Sequence, residues 1–298
     1  AMPTVTALRL CPKLILLPVN MQKYRLASNQ IKAIFLEFTN KVESVSLDEA
    51  YLDVSNSKHF SGSASLLAKH IRERIYNEVG VTASAGVAPN KFLAKVASDI
   101  NKPNGQYVIA PDSIVNFISG LHLRRIPGVG KVLEKKLNQL GLTKCVDVQN
   151  YCVETLVKKI GSFGYTLYQR SYGKDNREVK ESSIRKSVSV ERTFSQDLDN
   201  IDNCFEKIYL LIESFQERLY KLQDSYFAKA YFVKIKFNDF SQTTLERSNI
   251  NTLDVDIIRE MYMEAWKRGS KPARLLGLGA RLIPKEECQN SIQLDLLR

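Results

Sequence analysis

Residues 82–105 read TASAGVAPNKFLAKVASDINKPNG and carry the clearest fold signal in the chain. The small residues of 82–88 predict a short strand, and the segment that follows them opens a helix with apolar positions at helical spacing. A turn cluster at 101–105 ends that helix, and residues 106–109 predict a second strand. Strand, helix and strand in this order predict an α/β layer domain.

The preceding stretch, residues 46–54, reads SLDEAYLDV and places two adjacent carboxylates between apolar strand segments. At the tip of a hairpin, Asp48 and Glu49 can converge on one point, where a cation relieves their mutual repulsion. Hard oxygen ligands of this kind suit Mg²⁺. The pair is therefore a candidate Mg²⁺ site, and a solvated acidic turn is the alternative.

Two further stretches are candidate phosphate sites. Lys102 lies beside Pro103 in the turn cluster and can offer a point charge to phosphate, unless the turn is plain surface. Residues 123–131, LRRIPGVGK, predict a helix, a tight hairpin and a second helix whose first N–H groups can bind phosphate. The hairpin residues are Pro127, Gly128, Val129, Gly130 and Lys131. A packing turn is the alternative for this hairpin.

The second half of the chain has a different pattern. A charged stretch at 174–183 predicts a linker, and residues 184–283 predict a βαββαβ unit with its helices on one sheet face. The chain then ends in an apolar tail: Gln293, Leu294, Asp295, Leu296 and Leu297. Apolar surface of this kind seeks a partner, or the tail folds back onto its own domain.

The net charge is +11, and residues 113–182 hold 12 basic and 6 acidic residues. This excess favours a polyanionic partner such as nucleic acid. No apolar run approaches the roughly 20 residues of a membrane helix, and no secretory signal is visible. Five cysteines without a C-x-x-C pair predict free thiols in a reducing cytoplasm rather than disulfides or a zinc site.

Four motifs, in order, resemble those of the Y-family translesion DNA polymerases: residues 46–54, 82–105, 124–132 and 186–194. The resemblance covers essentially the whole chain and implies a multidomain fold of mixed α+β and α/β type. The implied domains are a remnant of the fingers at 1–18, an incomplete palm at 19–112, a helical thumb with a helix-hairpin-helix at 113–182, a βαββαβ little finger at 184–288 and a clamp-binding tail at 289–298.

The resemblance also implies a role for each candidate site. Asp48 and Glu49 match the catalytic pair that binds Mg²⁺, two ions in the complete enzyme, and Lys102 matches the lysine on the nucleotide triphosphate. The hairpin at 127–131 would hold the DNA backbone. The residues implied to follow the template backbone are Arg185, Lys186 and Arg192.

The implied partners are primer–template DNA, deoxynucleoside triphosphates and the bacterial sliding clamp, and the implied state is a monomer. Residues 293–297 resemble the peptide that docks in the clamp groove, with Leu297 where a Phe is commoner. The implied reaction is DNA-directed nucleotidyl transfer in translesion synthesis and DNA repair.

One family motif does not occur in these residues. Family members begin with a D-x-D-x-F-F strand whose first Asp is a third metal ligand, whereas no Asp precedes Asp48 here. We therefore expect a truncated chain that is inactive alone, and the alternative is a non-catalytic DNA- and clamp-binding protein. A helix-hairpin-helix glycosylase or nuclease would explain the hairpin at 127–131 but neither the acidic pair nor the βαββαβ unit.

Overall fold

The computed structural model describes residues 2–181, 184–248, 250 and 253–286. The chain divides into two compact units, Ala1–Ser182 and Ser183–Arg298, and each has a hydrophobic core of its own. Among the described residues no helix is both long enough and apolar enough to cross a membrane.

The first unit begins with two helices and an antiparallel hairpin. The elements are α1 (Thr4–Leu10), α2 (Met21–Leu36), β1 (Val42–Ser44), β2 (Ala50–Leu52) and α3 (Ala64–Val79). Leu67, Ile71 and Ile75 recur every four residues along α3 and pack against Ile34 of α2. In the hairpin Glu43 pairs with Tyr51, which leaves residues 45–49 as its tip.

The strand-helix-strand unit of residues 82–109 is present as predicted. It consists of β3 (Ala85–Val87), α4 (Lys91–Ser98) and β4 (Gln106–Val108), with the two strands parallel. Gly86 is required here, because a Cβ on it would lie 2.0 Å from the Ala94 carbonyl oxygen of α4. The strands do not form one layer with β1 and β2. Among the described residues each of these two sheets has two strands of three residues.

A bundle of short helices completes the first unit. The helices are α5 (Ile114–Ser119), α6 (Lys131–Gln139), α7 (Cys145–Gln149), α8 (Val153–Ile160) and α9 (Phe163–Ser171). Their buried residues form one cluster with Phe92 and Leu93 of α4, so the bundle and the strand-helix-strand unit share a core.

The segment predicted as a linker instead packs onto the first unit as far as residue 180. The Lys180 N–H donates to a Glu43 carboxylate oxygen at 2.8 Å, and the Glu178 carbonyl accepts from Lys91 Nζ at 3.1 Å. Most residues of 174–181 are exposed, as their charge suggests, but backbone groups of the segment bind the hairpin and α4.

The second unit has the predicted βαββαβ order. Its elements are β5 (Ser187–Leu198), α10 (Ile201–Tyr220), β6 (Tyr226–Phe237), β7 (Gln242–Ser248), α11 (Val255–Lys267) and β8 (Ala273–Pro284). The four strands are antiparallel in the order β5-β8-β6-β7. Val233, Ile235 and Phe237 of β6 are buried with residues of both helices, whereas the residues between them lie on the other sheet face.

Candidate active site and nucleic-acid interface

Asp48 and Glu49 lie together at the tip of the β1–β2 hairpin, where Asp48 is exposed and Glu49 is partly exposed. The backbone N–H groups of Val45 and Ser46 donate to the Glu49 carbonyl at 2.9 and 3.3 Å and close the turn. The Ser46 hydroxyl donates to Asp48 Oδ1 at 2.6 Å, so one carboxylate is held by its own turn. The structure thus brings the two predicted carboxylates to one exposed tip.

Two lysines of α4 hold the hairpin from one side. Lys95 Nζ lies 2.5 Å from Glu49 Oε1, and Lys91 Nζ lies 2.6 Å from Glu43 Oε2. Lys91 is buried, and its ammonium lies 5.1 Å from the ring centroid of Tyr51. The sequence reading missed both lysines. Their spacing of four residues on one helix was the available signal.

Glu43 is an acidic group of this hairpin whose ionisation the fold changes. Its partial burial raises the pKa, but hydrogen bonds from Lys91 and from the Lys180 backbone outweigh burial and hold the pKa of the Glu43 carboxyl below its usual value. The ionised form is therefore favoured in the folded state, where it balances the charge of the buried Lys91.

We predict that Glu43→Gln destabilises the protein at neutral pH by about 1–3 kcal/mol, because Lys91 loses its counter-charge. Because the Glu43 pKa is lower in the folded state than in the unfolded state, its ionised form stabilises the fold at pH values above the ordinary glutamate pKa. This stabilisation is lost as the pH falls through the pKa of the folded state. The gap in melting temperature between parent and variant should therefore close between roughly pH 5 and pH 3. Parallel melting curves over that range would contradict this assignment.

The acidic tip suits one part of a Mg²⁺ site. Mg²⁺ is held in proteins by one or two carboxylates together with waters and substrate phosphates, and the tip offers two adjacent carboxylates. Across the described ranges no group of three or more His, Cys, Asp and Glu side chains is placed to hold a metal ion. Asp48 and Glu49 can therefore hold Mg²⁺ when a phosphate-bearing substrate or a further ligand completes its coordination. The two carboxylates do not form a complete metal site by themselves.

Lys102 lies in an exposed turn that has its own supports. Its ammonium pairs with Asp99 at 2.7 Å, on the same turn, rather than with a residue of the acidic hairpin. Arg72 of α3 fixes the turn by donating to the carbonyls of Ala83 at 2.9 Å and Asn104 at 2.5 Å. The structure thus holds the turn in place and leaves the Lys102 side chain at the surface, paired only within its own turn.

The predicted hairpin at 127–131 forms between the turn Leu123–Arg125 and α6. Gly128 has φ +100°, and a Cβ on it would lie 2.8 Å from the ring of Phe163. Gly130 is the N-cap of α6 and has no side chain with which to cap the first N–H groups of the helix. A hollow of about 380 Å³ opens at this end of α6, lined by residues that include Gly130, Lys131 and Lys136. Free helix N–H groups beside lysines are a suitable site for phosphate.

In the second unit the predicted basic residues are exposed. Arg192 lies on β5, whereas Arg185 and Lys186 come just before the strand begins at Ser187. The Lys186 carbonyl still accepts from the Leu282 N–H at 2.9 Å, so the backbone pairing extends to that residue.

Sequence reading missed further basic residues on the sheet face away from the helices. Lys234 pairs there with Glu191 at 3.0 Å, and Arg281 pairs with Glu246 at 2.9 Å. The alternation of charged and buried residues along β6 was the signal for them. The predicted tail, residues 293–297, lies outside the described residues.

The four cysteines that the structure describes are free thiols, as predicted for them: Cys11, Cys145, Cys152 and Cys204. Cys288 lies outside the described residues. Burial raises the pKa of the Cys145 and Cys204 thiols to about 12, which keeps them protonated and unreactive.

Comparison with known proteins connects these features. The chain matches the impB/mucB/samB family over residues 1–99 and the C-terminal domain of that family over 185–296. Residues 124–175 match the thumb domain of DNA polymerase iota. The chain is also 47% identical to DNA polymerase IV of Ectopseudomonas mendocina over 294 residues, which covers 99% of this chain and 83% of that protein.

This chain belongs to the Y-family DNA polymerases. DNA polymerase IV of Yersinia enterocolitica is 47% identical over 288 residues, covering 95% of this chain and 81% of that protein. Among solved structures, a Y-family DNA polymerase chimera of Dbh and Dpo4 matches with a TM-score of 0.84 at 27% identity, over 94% of this chain and 82% of that one. An insertion ternary complex of Dbh DNA polymerase matches with a TM-score of 0.62 at 25% identity, over 95% and 83%.

The family resemblance and the fold class predicted from the four motifs are therefore confirmed. Members of this family are DNA-directed DNA polymerases that act in translesion synthesis, and the acidic hairpin and the 127–131 hairpin both lie in stretches that match the family's domains.

Proposed function

We propose that Asp48 and Glu49 form the catalytic pair for template-directed transfer of a deoxynucleotide to a primer 3′ hydroxyl. The observation that carries this proposal is the pair of adjacent carboxylates at one exposed hairpin tip, within a chain of this family. Mg²⁺ held by these carboxylates would lower the pKa of the primer hydroxyl and stabilise the charge on the leaving pyrophosphate.

Other residues of the first unit would serve substrate binding. Lys102 would leave Asp99 to neutralise the triphosphate, since a lysine on an exposed turn loses little when it exchanges one surface partner for another. The hairpin at 127–131 would bind the DNA backbone through helix N–H groups and Lys131. Arg185, Lys186 and Arg192 would add phosphate contacts from the second unit, which supports primer–template DNA as the partner.

The predicted domains are proposed with the same boundaries: fingers remnant at 1–18, palm at 19–112, thumb at 113–182, little finger at 184–288 and tail at 289–298. The division of the chain at Ser182 and Ser183 supports the border between the last thumb residue and the little finger. The free thiols support a reducing compartment, and we propose the cytoplasm with the chain as a monomer.

A polypeptide limited to residues 1–298 tests how far this activity is self-contained. Its described residues offer two carboxylates and no third acidic neighbour, so we expect no primer extension above the background of an Asp48→Ala variant. The assay would use primer–template DNA, all four nucleotides and Mg²⁺, with the relative from Ectopseudomonas mendocina as positive control. Extension above that background would show that two carboxylates suffice.

The alternative function, a non-catalytic DNA- and clamp-binding protein, is favoured by the same two-carboxylate site. It predicts that adding an N-terminal segment with the D-x-D-x-F-F motif leaves the chain inactive. The polymerase proposal predicts that this addition yields Mg²⁺-dependent extension.

Clamp binding is proposed for residues 293–297 on their sequence alone. Deleting residues 293–298 should abolish binding to a bacterial sliding clamp and leave DNA binding unchanged. A five-residue apolar peptide buries little area, so we expect an affinity of about micromolar or weaker that persists at high salt. Loss of the thermal transition in the deletion variant would show that the tail belongs to the core.

A further inference from the structure

Arg170 lies in the interior of the helical bundle without a carboxylate at ion-pair distance. The residue is 8% exposed, and in the part of the chain that the structure describes no carboxylate forms a direct ion pair with its guanidinium. Its Nε atom is buried with no hydrogen-bond partner. Burial lowers the Arg170 pKa, and the nearby Asp175 carboxylate, which favours the charged form, offsets this only in part. A buried charge without a directly bonded carboxylate is costly, so its other contacts must offset that cost.

The guanidinium lies between two aromatic rings and contacts the predicted DNA-binding hairpin. Its central carbon is 5.6 Å from the ring centroid of Phe92 on α4 and 6.0 Å from that of Phe163 on α9. Its Nη1 donates to the Pro127 carbonyl at 2.5 Å. Arg170 thus connects the hairpin to α4, the helix that carries Lys91 and Lys95.

A second arginine binds the other side of the hairpin in the same way. Arg124 Nη1 donates to the Val129 carbonyl at 2.8 Å, so the carbonyls on both sides of Gly128 are held by guanidinium groups. A carbonyl oxygen carries partial negative charge and would repel a phosphate. The Val129 and Gly130 N–H groups donate to the Ile126 and Gly128 carbonyls. With both flanking carbonyls bound by arginines, the groups left to bind an anion are the first N–H groups of α6 and Lys131.

The end of α9 is also tied to α4. The Asn90 side chain accepts from the Leu93 N–H at 3.0 Å and donates to the Gly173 carbonyl at 2.8 Å. Helix α9, which carries Arg170, is therefore fixed to α4, which carries Lys95, the partner of Glu49.

We propose that Arg170 is a positioning residue for DNA binding, which holds the 127–131 hairpin in the conformation that accepts a phosphate. The proposal rests on the proposed role of that hairpin in binding DNA. Arg170 does not touch the phosphate. It fixes the Pro127 carbonyl and the register of the hairpin against α4, and so against the acidic pair.

The test is DNA binding by the 298-residue chain over a series of salt concentrations. The variants are Arg170→Met, Arg170→Lys and Lys131→Ala, with Lys69→Met as a control that removes one exposed positive charge from α3. Binding of a labelled primer–template duplex is measured by fluorescence anisotropy, well below each variant's melting temperature.

Arg170→Met should weaken DNA binding about tenfold at every salt concentration, as expected when one charge-assisted hydrogen bond is removed, with the slope of log K against log salt unchanged. A buried residue that touches no phosphate releases no counterions. Lys131→Ala should instead reduce the slope by about 0.9, the value for a single phosphate neutralised by a lysine. Arg170→Lys should recover part of the affinity, and Lys69→Met should bind like the parent.

Three results would overturn the proposal. Arg170→Met with a lowered melting temperature but parental affinity would show a purely structural role. A reduced salt slope in Arg170→Met would show direct contact with phosphate. If Arg170→Met does not fold, Arg170→Gln takes its place, and unchanged exchange of the Val129 and Gly130 amide hydrogens in that folded variant would show that the hairpin does not depend on the guanidinium. The proposed DNA-binding role of the hairpin fails separately, if Lys131→Ala binds like the parent.

Discussion

Replacing both Lys131 and Lys135 with Ala is expected to weaken DNA binding by at least tenfold at moderate salt. The slope of log K against log salt should become shallower by about 1.8, since each phosphate that a lysine neutralises contributes about 0.9. Both lysines are exposed on the first two turns of α6, and Lys131 lines the hollow at the start of that helix. Their ammonium groups add to the N–H groups of the helix start, where negative charge is favoured.

The decrease in affinity should be the same for duplexes of different sequence, because phosphate contacts carry no base information. Lys158→Ala with Lys159→Ala is the matched control, since these lysines are also close to one another on a thumb helix but lie at the end of α8. Parental affinity of the Lys131 and Lys135 double variant at every salt concentration would remove the hairpin from the DNA interface.

Sequence reasoning captured the features that depend on local pattern. Apolar spacing predicted the helix between residues 88 and 101, which forms as α4, and the order of elements in residues 184–283 was enough for the βαββαβ unit. The turn at 127–131 was predictable because its conformation requires glycine. Gly128 has φ +100°, and the ring of Phe163 leaves no room there for a Cβ atom.

The features that sequence reasoning missed depend on contacts between distant residues. Lys95 and Glu49 are 46 residues apart and Lys91 and Glu43 are 48 apart, so no local pattern pairs them. The same is true of Arg170, whose contact at Pro127 lies 43 residues away. Residues 174–180 read as a linker because six of the ten residues in 174–183 are charged, but partners on α4 and β1 bind that segment.

The largest effect on activity is expected from Asp48. Asn retains the shape of the side chain but removes the charge that binds Mg²⁺, so Asp48→Asn should reduce primer extension by about three orders of magnitude or more. DNA affinity should stay within about twofold, because this carboxylate offers metal binding in the transition state and little attraction for DNA in the ground state. The assay requires the chain with an N-terminal segment that carries the D-x-D-x-F-F motif.

Asp53 provides a matched control on the same hairpin. Its carboxylate accepts from the Ser55 N–H at 3.0 Å and pairs with Lys41 at 3.3 Å, and hydrogen bonds from Ser55 hold its pKa below the usual value. Asp53 therefore has a role within the fold, and Asp53→Asn should retain extension even if it lowers the melting temperature.

The most direct test of the catalytic role of the hairpin tip is the rate of Mg²⁺-dependent primer extension, measured in the chain to which the D-x-D-x-F-F segment has been added. Asp48→Asn and Asp53→Asn are each compared with that chain without substitution. We predict extension by the unsubstituted chain and by Asp53→Asn, and none above background by Asp48→Asn, which should retain its DNA affinity. Near-parental extension by Asp48→Asn would contradict this role, because the hairpin tip would then not be the catalytic site.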